Sequence, residues 1–335
     1  MAITAADVNK LRQQTGIGMM DCKKALVEAD GDFEKAIDIL RKKGQKVAAN
    51  RADRESNEGR LIAKTNADHT KGYMLAVACE TDFVGNGEEF VSFTDSLIEK
   101  AMNEGIDTRD ALLASTLENG MTVADRLTEL TGKTGEKVEL PHFEVLEAAY
   151  VEAYNHMGNH KACLVGFNKA GENVVEAAHN VALHITAMAP VALDEDAIPQ
   201  EVKDREMAVA IVKTREELIG KAVDAALKKA GINPAHVDTD DHINSNMGKG
   251  WITEEQANLA RQIKVEEAEK KAATLNEAQI QQIANGRLVK FFKENTLMYQ
   301  ALVMGSDGKE SVRDYIHRAD KDLECTGFVR RQIGD

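Results

Sequence analysis

Side chains that could bind a metal or move a proton gather between 156 and 184: His156, His160, Cys163, His179 and His184. His156 and His160 have the spacing that presents two ligands together on a helix, but Gly158-Asn159 between them predicts a turn. His179 and His184 fall on different faces of their helix. A zinc site is therefore not expected. Gly16-Ile17-Gly18 lacks a third glycine in place and a preceding strand, and no G-x-x-x-x-G-K-[ST] loop occurs. No nucleophile is paired with a base. These residues point away from an enzyme, and neither cofactor nor metal is expected. The rival is an acid–base enzyme using the histidines across a cleft, which turnover or metal content of the isolated protein decides.

The stretch with a different chemistry is 73–84. An apolar run from Tyr73 to Cys79 ends on Glu80, Thr81 and Asp82, and Phe83 and Val84 stand before Gly85-Asn86-Gly87. The run has strand length and the two glycines bracket a turn. From Glu88, the residues Phe90, Phe93 or Thr94, Leu97 and Ala101 follow helical spacing. A bulky aromatic thus sits on a strand-to-helix turn beside a carboxylate. Either Phe83 folds back onto its own core, as a lone aromatic near a turn commonly does, or it is a wedge for another protein.

Thr81-Asp82-Phe83-Val84 resembles the signature of the elongation factor Ts family, nucleotide exchange factors for elongation factor Tu. Residues 15–26, Thr-Gly-Ile-Gly-Met-Met-Asp-Cys-Lys-Lys-Ala-Leu, resemble that family's N-terminal motif. Lys133-Thr134-Gly135-Glu136-Lys137 is similar to its K-x-G-E-N element, with Lys137 in place of asparagine, and Tyr154-Asn155-His156 matches a further contact. The resemblance implies that Thr81, Asp82, Phe83, Val84, Leu11, Met19, Met20, Gly135 and His156 bind elongation factor Tu. It implies GDP release during translation elongation, driven by insertion of Phe83 near the magnesium and phosphate site of the GTPase. A structural adaptor is the second rival, favoured by a pull-down that finds partners with no change in nucleotide release.

The elements that must hold these residues follow from composition and pattern. The chain has 335 residues, enough for two or three domains, with 43% hydrophobic and only 4% aromatic content, so alanine-rich helices are expected. A net charge of −14, from 42 basic and 56 acidic residues, repels a phosphate backbone, so nucleic acid is not the expected partner. Cys22, Cys79, Cys163 and Cys325 are scattered and read as buried thiols in a reducing compartment. No stretch approaches a membrane span, and the N-terminus lacks a signal-peptide pattern, so a cytoplasmic protein is expected.

The fold class expected is α+β. Residues 1–44 read as three short helices, capped by Thr4-Ala-Ala-Asp7 and by Asp32, ended by Gly44, and similar to a ubiquitin-associated module. Met19 and Met20 are adjacent, so one is expected at the surface. Residues 45–58 read as a polar linker. Strand, strand and helix in 59–137 recur in 138–198 with 287–335, giving two related α/β core subdomains with antiparallel strands. Val138 to Leu146, interrupted by Pro141, reads as an edge strand. Residues 199–286 read as an inserted antiparallel helical hairpin, a coiled coil with a polar tip at 238–250 that is a candidate for self-association. Its first helix carries a stripe of Ala208, Val212, Ile219, Val223, Ala226 and Ala230, with Arg215 as the exception.

Overall fold

The apolar run becomes the middle strand of a sheet buried on both sides. The computed structural model describes residues 3–304 and 309–335. In it β1 (Glu58–Thr65), β2 (Lys71–Cys79) and β3 (Glu139–Glu147) form an antiparallel sheet in that order. Alternate side chains of β2 point to opposite faces. Tyr73, Leu75, Val77 and Cys79 pack with Phe90, Leu97, Leu127 and Leu130 of the covering helices. Met74 and Ala76, with Leu61 and Ala63 of β1, meet Val151, Ala162 and Leu164 of a second sheet. A strand covered on both faces has no reason to alternate apolar with polar, which accounts for the continuous run.

The second sheet is β4 (Tyr150–Asn155), β5 (Lys161–Phe167) and β6 (Cys325–Gln332), again antiparallel with the second strand in the middle. Gly72 lets the sheets approach: a Cβ there would lie 2.7 Å from Val151 Cγ1 and 2.8 Å from Leu164 Cδ2. Strand β3 pairs with β2, so it belongs to the first sheet and not with the segment from 138 onward. Local pattern marks it as a strand but does not name its neighbour. Its register shifts between Ala76 and Ala78, opposite the stretch holding Pro141, as an edge strand allows.

Before the first sheet come α1 (Ala5–Thr15), α2 (Met19–Glu28) and α3 (Phe33–Asn50). Thr4 and Asp7 form the expected capping box, and Asp32 caps α3. Gly44 does not end α3. It lies in mid-helix where α3 crosses a later helix, so its missing Cβ serves close packing and not termination. The expected linker is thereby shortened to the few residues between Asn50 and Glu58.

After β2 the chain forms α4 (Asp82–Gly85), α5 (Glu88–Glu104), α6 (Arg109–Ala114) and α7 (Val123–Thr134), the last capped by Thr122. Helix α8 (Glu172–Met188) backs the second sheet, and α13 (Val312–Ala319), capped by Ser311, packs on α8. These elements belong to one compact unit, Met1–Leu193 with Ala301–Asp335. Among the described residues no helix is long and apolar enough to cross a membrane.

Asp194–Gln300 is a second unit. It holds α9 (Gln200–Lys229), α10 (Asp240–Gly248), α11 (Glu254–Ala273) and α12 (Glu277–Asn295). Helix α9 packs against both α11 and α12, so the unit is not a simple two-helix hairpin and does not close at 286. The buried residues of α9 are Ala210, Thr214, Val223 and Leu227, while Val212 is exposed. The apolar stripe is thus displaced. Arg215 is no exception within it, because it is exposed and ion-paired with Glu277 at 2.7 Å. Small Ala210 and Thr214 occupy the packed face, and the Thr214 hydroxyl donates to Ala210 O. The expected polar tip is folded: Val237, Ile243 and Ile252 form a core with Val223, Leu227 and Ile232.

Candidate partner-binding surface

The expected contact residues lie at four places along the chain, and two of these, the turns at α4 and at the end of α7, are joined. Helix α4 is a single turn that follows β2 directly. Gly85 seats it: a Cβ there would lie 3.1 Å from Gly59 Cα and 3.3 Å from Cys79 Sγ. Val84 turns inward onto the first core, and the Cys79 thiol donates to Thr81 O at 3.2 Å. Burial pushes the Cys79 thiol up to about 12, with the Glu136 carboxylate adding to the effect. Asp82 and Phe83 point outward, and Phe83 is 88% exposed. The core reading of Phe83 is therefore not realised, since its ring stands almost wholly clear of the described residues.

The Lys133–Lys137 turn is joined to this one. Helix α7 ends with Gly135 at φ 74°, a left-handed conformation that glycine adopts without strain, and its N–H donates to Thr131 O. The turn delivers Glu136 to Thr81, whose N–H and hydroxyl donate to the two carboxylate oxygens at 3.0 and 2.7 Å. Lys137 N–H donates to Glu80 at 2.7 Å. Arg51, just past α3, donates to both Glu80 oxygens at 2.8 and 2.9 Å. The Lys137 N–H, and then Arg51, hold the Glu80 carboxyl below the usual carboxylate range.

The N-terminal helices present Met19 and Met20 at the first turn of α2, 53% and 65% exposed. Both are at the surface, where one was expected. An exposed methionine pair gives an adaptable apolar contact. Leu11 is corrected: it is fully buried with Val8, Cys22, Leu26 and Leu40, so it packs the bundle and offers no surface. Gly16 begins the loop before Met19, and a Cβ there would collide with Lys133, whose amine is ion-paired with Glu89.

His156 lies apart from these, exposed at the β4–β5 turn, with Nδ1 3.1 Å from the Tyr154 hydroxyl. Tyr154 takes the edge of His179, which pairs with Glu152 at 3.1 Å. His184 is buried in α8. Among the described residues no three His, Cys, Asp or Glu side chains gather as a metal site.

Two residues at these turns, Met157 and Arg51, carried no expectation from the sequence. Met157 is 89% exposed, beside Gly158 at φ 83°. An apolar side chain next to a turn glycine was its visible signal. Arg51 gave no local signal, because its partner Glu80 is distant in sequence, and the K-x-G-E-N-like element held Glu136 without showing its bond to Thr81.

The family model described as elongation factor Ts matches residues 80–335. An elongation factor Ts from Parabacteroides distasonis is 47% identical over 331 residues, covering 98% of each chain, and one from Phocaeicola vulgatus matches equally. Another, from Christiangramia forsetii, is 40% identical over 332 residues, covering 99% of each. With identity of this degree along nearly the whole length, the chain belongs to the elongation factor Ts family.

Proposed function

We propose that this member of the elongation factor Ts family, a translation elongation factor that exchanges nucleotide on elongation factor Tu, does so by inserting Phe83 near the magnesium and phosphate site of the GTPase. The carrying observation is an apolar ring almost wholly in water on a turn that is held from several sides. Exposing a large aromatic costs solvation free energy that burial against a partner recovers. Disturbing magnesium coordination removes charge neutralisation from the diphosphate and weakens nucleotide. By linkage, nucleotide weakens the factor to the same degree.

Met19 and Met20 supply a second apolar anchor on the GTPase, Gly135 brings the α7 turn to the interface, and His156 contacts the partner away from the nucleotide. Thr81 and Val84 fix the turn, and Asp82 faces partner backbone. The test is release of a fluorescent GDP analogue from elongation factor Tu, with native protein and Phe83→Ala. The variant is expected to lose most of the acceleration with little change in melting temperature. Native protein that does not accelerate release overturns the function. An unimpaired Phe83→Ala overturns the insertion.

A further inference from the structure

Glu80-Thr81 and Glu136-Lys137 stand in a reciprocal relation. Each pair contributes a carboxylate to the other's backbone: Glu136 accepts from Thr81 N–H, and Glu80 accepts from Lys137 N–H. Thr81 occupies the N-cap of α4 yet makes no side-chain cap, and its hydroxyl donates to Glu136 instead. Helix α4 has four residues. A single turn fixes several dihedrals for very few hydrogen bonds and does not hold itself in water. Its geometry is imposed from outside, by Gly85 seated on Gly59 below and by Glu136 at its start.

We propose that Glu136 is a positioning residue for nucleotide exchange, acting through Thr81 to set where Phe83 projects, while Glu80 ties the α7 turn and Arg51 to the same point. The proposal rests on the reading of Phe83 as the inserting side chain. Both Glu136 oxygens already accept from Thr81, so the carboxylate is committed within the chain. Losing bonds to a charged acceptor frees the turn to sample other orientations, and a ring presented in the wrong place slows release without abolishing docking.

The test is a double-mutant cycle of Thr81→Val and Glu136→Gln, measuring release of a fluorescent GDP analogue from elongation factor Tu across factor concentrations. Each single variant is expected to lower the maximal release rate about tenfold, with a smaller change in half-saturation. The double variant is expected to be no slower than the slower single, within about twofold, because the two residues act as one contact. Thr81→Ser, which keeps the hydroxyl that donates to Glu136, is expected to recover most of the rate that Thr81→Val loses. Multiplying effects in the double variant would overturn the proposal by placing Glu136 on the partner directly. A near-native rate for Glu136→Gln beside a slow Phe83→Ala overturns the clamp alone. A near-native rate for Phe83→Ala removes the insertion reading and the clamp with it.

Discussion

Gly44 of α3 and Gly132 of α7 cross so closely that a Cβ built on Gly132 would lie 2.8 Å from the Gly44 Cα. The nearest atom is backbone, so no side chain can swing aside. Gly132→Val is expected to force the helices apart and to destabilise the protein by about 1–3 kcal/mol, the usual cost of overpacking. Gly44→Ala is expected to be milder, since its Cβ would meet Thr128 O at 3.3 Å. Denaturant unfolding of the two variants gives the ranking. Native-like unfolding of Gly132→Val would mean that the N-terminal helices are not packed on α7.

This crossing also marks where the sequence stopped being legible. Gly44 was read as a helix end because glycine usually is one, and only the distant α7 reveals its other use. The capping box at Thr4, the apolar strand β2 and the helix from Glu88 were visible because each depends on neighbours a few residues away. The pairing of β3 with β2, the meeting of α12 with α9 and the bond from Thr81 to Glu136 join residues far apart in sequence, and no local period encodes them. At the candidate surface, the turn singles out Phe83 with a core and a wedge reading both open, and adjacency exposes one of Met19 and Met20, whereas Leu11 is assigned to the surface through resemblance alone although its helical position turns it inward.

Leu11 and Met20 provide a direct contrast within one small bundle. Leu11→Ala opens a cavity at a fully buried site and is expected to cost about 2–5 kcal/mol. Met20→Ala, at an exposed site, is expected to stay within about 0.5 kcal/mol of native while weakening partner binding. Thermal unfolding with a binding titration separates the two. A Leu11→Ala protein of native stability but poor binding would return Leu11 to the interface.

Glu80 gives a pH dependence with a definite sign. Its folded pKa is depressed by Lys137 N–H and then by Arg51, while the unfolded chain has the ordinary glutamate value of about 4.3. The contribution is therefore complete above that value. It declines as the pH falls below it, because the unfolded state binds the proton first, and it is gone once the folded carboxyl is protonated. The stability gap between native protein and Glu80→Gln is expected to narrow as the pH falls below about 4.3. A gap that stays constant or widens on acidification would show that the charge of Glu80 does not support the fold.

Ile243 tests whether 238–250 is a folded cap or a solvated loop. Its composition is polar, with Asp240, Asp241, Asn244 and Asn246, and by itself favours a loop. Two apolar residues decide otherwise: Val237 and Ile243 are wholly buried against Leu227, Ile252 and Ala260. Asn246 is buried too, and its side-chain N–H donates to His236 O, which satisfies the amide without water. Thr239 caps α10 through His242 N–H, so the helix has a defined start. Ile243→Ala removes the fully buried apolar side chain that α10 places in this core and is expected to cost about 2–5 kcal/mol locally. Hydrogen exchange of the amides of α10 reads this directly, since loss of the anchor lets the helix open without unfolding the rest. Protection that is low in the native protein and unchanged in the variant would mean the segment is a loop, as its composition alone implies.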